Sequence, residues 1–572
     1  MKNEIRIFCI NTNSFHNIPL GASLKEISAE ICPFAWNEKR GEKEEVLAAL
    51  VDYKLKELDF KVAIPHYIEF IGYSHSDGRR TYIRSLVFIL QKAIRELYPS
   101  KVLQIDYSLS SGLYCEIHEQ QPLENGLDDV YTPSEMEIEE IKNNMQTVID
   151  TNLPFIKTKI THDEAEKIFI SNHQSDKANL VRSLGRLTYS VYSLAYETDT
   201  FYGPLLPSTS YIKAFGLSGY LQGFCLQAPL EGDIKTILPL KRQYNIANSH
   251  NEYADWCALL GVTGIGTLNK TIKSGGIIKL IQLSEALQER KYANIADQIY
   301  EQKNRIKIVF LAGPSSSGKT SSSKRLALQC KVLGLNPKTI ELDNYFVNRV
   351  DTPLDDKGEY DYESLQAMDL KHLNAQLNAL LDGQEVEIPI YDFKLGRRKD
   401  EGTKLKLGEK DILIMEGIHA LNPALAPSID SNRIFKLYVS ALTSLSIDEN
   451  NIISTSDNRL LRRIVRDNRT RGVSPEGSLL RWQSVRKGEN KNIFPFHENA
   501  DAIFNSAHIF ELPALKYYAE PLLRRIPQCS PAYTEAVRLL KFLDYIVALS
   551  PDEIATIPPT SIMREFIGGQ CL

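Results

Sequence analysis

The octapeptide Gly313–Thr320, GPSSSGKT, satisfies the spacing GxxxxGK[ST]. Two glycines at this separation let the backbone fold tightly enough for successive N–H groups to face phosphate oxygens, and the helix that follows adds its dipole. On that reading Gly313, Ser315, Ser316, Ser317, Gly318, Lys319, Thr320 and Ser321 cradle ATP. Lys319 reaches the β- and γ-phosphates during transfer, and the Thr320 hydroxyl ligates Mg2+. LNKT at 268–271 lies before the loop and is not a guanine-reading NKxD, and no such motif follows, which disfavours a GTPase.

Three further polar groups narrow the chemistry. Asp343 closes the extended run TIELD, the next after the phosphate loop and its helix, and a carboxylate there suits a base that accepts a proton from a substrate hydroxyl. Asn344, Tyr345 and Phe346 follow at once. Glu416 ends DILIMEG, where a second acidic group could hold Mg2+. Taken singly, each carboxylate is equally well a solvated strand end. The run DNRLLRRIVRDNRTRG, from Asp457 to Gly472, puts Arg459, Arg462, Arg463 and Arg466 on one helical face, with Arg469 and Arg471 after them. A basic helix is usually a solvated surface or a nucleic-acid patch. Downstream of Glu416 it reads better as a lid whose guanidinium groups neutralise charge on a transferring phosphoryl group.

The elements that position these groups alternate. IKIVFLA, TIELD and DILIMEG are short apolar strands separated by helices, which predicts an α/β unit with a parallel sheet covered on both faces. More than three hundred residues precede it. They contain a small α/β unit with a capping box at Ser23 and Glu26, then an α+β stretch with a long helix around YIRSLVFILQKAIRELYP, then helical patterns that run into the loop-bearing domain. With 572 residues, 43% hydrophobic and 24% charged, and a net charge of −5, the chain is an ordinary multi-domain globular protein with no global pull toward nucleic acid or membrane. The eight cysteines form no CxxC pair, which argues against a disulfide scaffold or zinc knuckle. No apolar run has membrane-spanning length, and a cytoplasmic location is expected.

Over about residues 305–510 the chain resembles the uridine kinase and phosphoribulokinase family of P-loop kinases. The likeness rests on five ordered blocks: GPSSSGKT, LDNYF, YDYESLQAMDL, IPIYDFKLGRRKD with IMEG, and DNRLLRRIVRDNRTRG. It implies that Asp343 is the general base, that Tyr345 and Tyr360 line a nucleoside site, and that Asp361 holds ribose hydroxyls. Tyr391 and Phe393 would approach the base. Arg463 and Arg466 would bind substrate and phosphate, with Arg466 and Arg471 in the lid. The family's pyrimidine-reading histidine and glutamine fall on Gly396 and Arg481, which puts uridine specificity in question.

The front half resembles parts of threonyl-tRNA synthetase: a TGS-like β-grasp domain at 1–62 and an editing-like domain at 63–230. A helical connector at 231–304, the kinase-like domain at 305–510 and a C-terminal helical segment at 511–572 complete the division. The editing residues are absent, since Arg84 and Phe88 stand at two histidine positions and Phe201 and Leu205 at the cysteine and histidine positions. That set cannot bind a metal or relay a proton, so the domain is expected to be inactive. The leading expectation is Mg2+- and ATP-dependent phosphorylation of a hydroxyl on a small molecule, a nucleoside, with a non-nucleoside polyol or sugar as the alternative. RNA recognition with ATP as a switch is less favoured. A structural or regulatory front half, setting homo-oligomerisation or sensing a small ligand, ranks above it.

Overall fold

The computed structural model describes residues 4–119, 130–354, 358, 360–392 and 395–571. The expected parallel sheet is present. It runs in the order Asn336–Glu341, Asp411–Glu416, Ile308–Ala312, Ile434–Ser440 and Ala502–Asn505, with every neighbouring pair parallel. Ile308–Ala312 is central and buried at every residue, as a strand covered on both faces must be. The helix Lys319–Val332 follows it directly, so the phosphate loop opens at the carboxyl end of the sheet, where open α/β sheets bind ligands.

The connector ends in a 25-residue helix, Ile277–Glu301, that packs under the sheet. Its Tyr292 is wholly buried and donates to Ser322 Oγ at 2.9 Å, and Arg325 of the loop helix donates to Glu289 at 2.6 Å. The connector is therefore part of the kinase core.

One boundary differs from the sequence reading. Tyr67–Ile71, expected to open the second unit, is the middle strand of the first sheet, parallel to Glu4–Cys9 and antiparallel to Ala48–Val51. Alternating burial cannot reveal a strand's partner, because pairing partners are chosen by tertiary contact. The second unit begins instead with the helix Ser76–Leu97, capped by His75, whose Nδ1 accepts the Asp77 N–H. Ser23 and Glu26 form the expected capping box.

The C-terminal helices Glu511–Leu523 and Tyr533–Leu543 share one core with the connector and with the arginine helix Thr455–Arg471. Ile562 and Phe566 reach further and pack against the loop helix. Six cysteines are buried, Cys529 and Cys571 are exposed, and all eight are unpaired. Among the described residues no helix is long and apolar enough to cross a membrane.

Candidate active site

The loop's backbone explains its glycines. A Cβ at Gly313 would meet Val439 O at 2.1 Å, and Gly318 sits at φ +84°, in the left-handed region that L side chains avoid. Ser316 is also left-handed at φ 60°, a strained state of the kind held at functional sites. Among the described residues the Ser316 and Ser317 hydroxyls are buried without a hydrogen-bond partner, an arrangement that suits a loop receiving a polar ligand.

Lys319 Nζ folds back to Pro314 O at 3.3 Å. Thr320 Oγ1 donates to Glu416 Oε1 at 2.7 Å, so the two groups expected to share a cation do lie together. Burial pushes the Glu416 carboxyl up to about 7, against the pull of Lys319 and the Thr320 hydrogen bond and with the push of Asp343. A carboxylate so placed gains from a cation. Mg2+ keeps several waters and takes one or two protein oxygens, so Thr320 and Glu416 fit it. Among the described residues no three His, Cys, Asp or Glu side chains form an all-protein metal cage.

Asp343 lies in the 3-10 turn Leu342–Tyr345, two residues past the strand end at Glu341, rather than in the strand itself. Burial raises its pKa, opposed by Lys319, reinforced by Glu341 and opposed again by Arg471. Lys319 thus faces both Asp343 and Glu416. A third carboxyl, Glu363, joins them and was missed in the sequence, although it stands in the YDYESL block two residues beyond Asp361. Burial and the nearby Glu489 push Glu363 up to about 7, while Lys319 and Arg463 pull it down.

The arginine helix divides its charges. Arg463 Nη1 donates to Ser315 Oγ at 2.8 Å, which brings it to the loop. Asp467 gathers the outer arginines, pairing with Arg463 at 3.3 Å, Arg466 at 2.9 Å and Arg471 at 3.6 Å. Arg459 and Arg462 correct the shared-face expectation, for both are almost wholly buried. Arg459 forms a two-pronged pair with Glu489 and donates to Ser315 O at 3.0 Å. Arg462 does the same with Glu511 and reaches Ser506 O at 2.8 Å. They brace the loop from behind. Glu489 also accepts the Ser315 N–H at 3.0 Å. Burial opposes its ionisation, but Arg459 holds the carboxyl below its ordinary range. Sequence alone offered only the arginines, since Glu489 and Glu511 come from separate helices.

The remaining expected residues scatter. Tyr345 is fully buried and donates to Gln376 Oε1 at 2.8 Å, so it supports the site from the core and does not line it. Tyr391 is also buried, its ring edge-on to Phe346, and its N–H donates to Asn344 Oδ1 at 3.1 Å. Tyr360 is exposed. Asp361 Oδ1 accepts the Glu363 N–H at 3.2 Å. Phe393 lies outside the described residues. Ser321 Oγ donates to Glu565 of the C-terminal segment, and Gln570 donates to the same hydroxyl at 2.8 Å. Gly396 is left-handed at φ +68°, and a Cβ there would meet Arg349 Nε at 2.7 Å, so the Arg349 guanidinium stands where the histidine was expected. Arg481 points to solvent.

In the front half the four substituted editing positions do converge. Phe88 and Phe201 touch at 5.3 Å between ring centroids, Leu205 is buried in the same core, and Arg84 Nε donates to Pro204 O at 3.1 Å.

The front region is similar to threonine–tRNA ligases; that of Lawsonia intracellularis is 30% identical over 141 residues, which is 25% of this chain and 20% of the ligase. The chain therefore spans a fifth of that ligase's length. The kinase region is similar to the uridine kinase of Bacillus pumilus, 32% identical over 198 residues, covering 34% of this chain and 84% of that kinase. It is likewise similar to the uridine kinase of Ligilactobacillus salivarius, 30% identical over 203 residues and covering 35% of this chain and 85% of that kinase. The model of the phosphoribulokinase / uridine kinase family matches residues 308–511, the stretch that holds the phosphate loop, Asp343, Glu416 and the arginine helix, and the chain belongs to that family.

Proposed function

We propose that this protein transfers the γ-phosphoryl group of ATP, with Mg2+, to a hydroxyl of a nucleoside or a closely similar small molecule. The observation that carries the reading is the grouping of Asp343 and the Thr320–Glu416 pair around Lys319 at the carboxyl end of the sheet. Lys319 holds the phosphates, Asp343 takes the hydroxyl proton, and Arg463, Arg466 and Arg471 face the charge that spreads over the transferring group. Thr320 and Glu416 would hold Mg2+, which supplies charge neutralisation at the phosphate oxygens.

Gly396 and Arg481 lack the side chains that read a pyrimidine edge, so the acceptor test extends beyond pyrimidine nucleosides. Incubating the full-length protein with Mg2+-ATP and a panel of purine and pyrimidine nucleosides and sugar phosphates tests the reading. Phosphorylation of a nucleoside is expected. Silence across the panel, or turnover untouched in Asp343→Asn, would overturn it.

A further inference from the structure

A small cavity of about 30 Å3 lies far along the chain from the phosphate loop, where three parts meet. Its wall takes Tyr53 from the first unit, Arg84 and Tyr202 from the second, and Arg538 and Lys541 from the helix Tyr533–Leu543. It has room for a compact group only, and its lining is mostly apolar with a few convergent polar groups.

The charges in this wall do not balance. Asp77 is paired with Arg80 at 2.8 Å. Arg538 is paired with Asp457 at 2.7 Å and Glu535 at 2.6 Å. Among the described residues Arg84 has no such partner: the residue is 9% exposed, and its guanidinium donates to Pro204 O at 3.1 Å and to Thr81 Oγ1 at 3.0 Å, both neutral, and lies over the Tyr202 ring. Among the described residues no carboxylate lies within ion-pairing distance of it. Burial accordingly depresses its pKa. Lys541 sits at the rim, and partial burial together with the charges of Lys56 and Lys157 depresses its ammonium as well. A buried charge without a counter-charge is costly, and a bound anion removes the cost.

We propose that this cavity binds the carboxylate or phosphate group of a small molecule, with Arg84 and Lys541 taking the oxyanion and Tyr53 and Tyr202 flanking it. The site is separate from the kinase centre yet tied to it, because Arg538 in its wall grips Asp457 in the first turn of the arginine helix with two hydrogen bonds of 2.7 Å.

The test is calorimetric titration of the full-length protein in chloride buffer with inorganic phosphate and, separately, with succinate. It is run in a Lys319→Ala background with Mg2+-ADP present, so that anion binding at the phosphate loop is suppressed. Saturable binding of at least one anion is expected, weakened tenfold or more by Lys541→Gln and by Arg84→Met. Lys541 stands at the rim of the cavity, so its substitution is tolerated even if Arg84→Met fails to fold. A response to phosphate alone assigns a phosphate-bearing ligand, and a response to succinate alone a carboxylate. No saturable binding of either anion, or binding that Lys541→Gln leaves unchanged, overturns the proposal.

Discussion

Asp343, Glu363 and Glu416 all feel the Lys319 ammonium, yet burial holds each carboxyl above its ordinary range. Two outcomes follow at this scale. Asp343→Asn keeps the shape and removes the proposed base, so kcat on the proposed acceptor should fall by about 10²-fold or more with little change in KM for ATP, read from steady-state kinetics. Glu363 and Glu416 rise from 4.5 in the unfolded chain to about 7 when folded. Below 4.5 both states are protonated and stability is intact. Between 4.5 and about 7 the unfolded chain releases protons that the folded one keeps, so the ligand-free protein loses stability as pH rises through this window. Glu363→Gln should therefore stabilise the protein by roughly 1–3 kcal/mol at pH 8 and by much less at pH 5, measured by urea unfolding. Glu416 was legible because it ends a strand near a recognisable loop, and Asp343 because it follows such a strand by two residues. Glu363 was not, since only its burial beside Lys319 and Glu489 marks it.

The arginine helix shows what a linear pattern conceals. Its i, i+3, i+4 spacing was plain, but spacing cannot say which side of a basic helix meets solvent, and here Arg459 and Arg462 meet buried glutamates instead. Removing one partner of such a pair leaves an uncompensated buried charge. Arg459→Met should cost about 3–5 kcal/mol, and Arg459→Met combined with Glu489→Met should recover much of that, measured as a double-mutant cycle in urea. The phosphate loop itself is tightly boxed. At Gly318 a Cβ would meet Ile562 Cγ2 at 2.8 Å and would also demand a left-handed alanine. Gly318→Ala should weaken ATP binding at least tenfold in an equilibrium titration. The glycine was expected from the motif, whereas its neighbour from the C-terminal segment was not, because that segment is remote in sequence.

Across the whole molecule, the front half and the kinase half are joined through buried polar groups. The hairpin strands Ser446–Asp448 and Asn451–Ile452 lead directly into the arginine helix. Glu449 accepts the N–H groups of Asp176 and Lys177 at the start of the helix Ser175–Leu184, at 2.7 and 3.2 Å. Lys177, with a fully buried side chain, pairs with Asp199 of its own half at 2.9 Å and with Asp448 of the kinase half at 3.6 Å. Lys177→Met leaves two acids without their cation. It should lower stability by about 3–5 kcal/mol and split the calorimetric unfolding peak into two, as the halves lose their coupling.

The sequence by itself determined the α/β kinase unit, the phosphate loop and the order in which Asp343 and Glu416 follow it, because each is a local signal: a turn that needs glycine, a strand buried on both faces, a residue type at a motif position. Only the tertiary structure decided that Arg459 and Arg462 brace the loop, that Glu363 joins Lys319, that Tyr345 lies in the core, and that Arg349 covers Gly396. It also decided that a cationic cavity forms among three distant segments. These are pairings between residues far apart in the chain, and the physical quantities that select them, burial and charge compensation, exist only once the chain has folded.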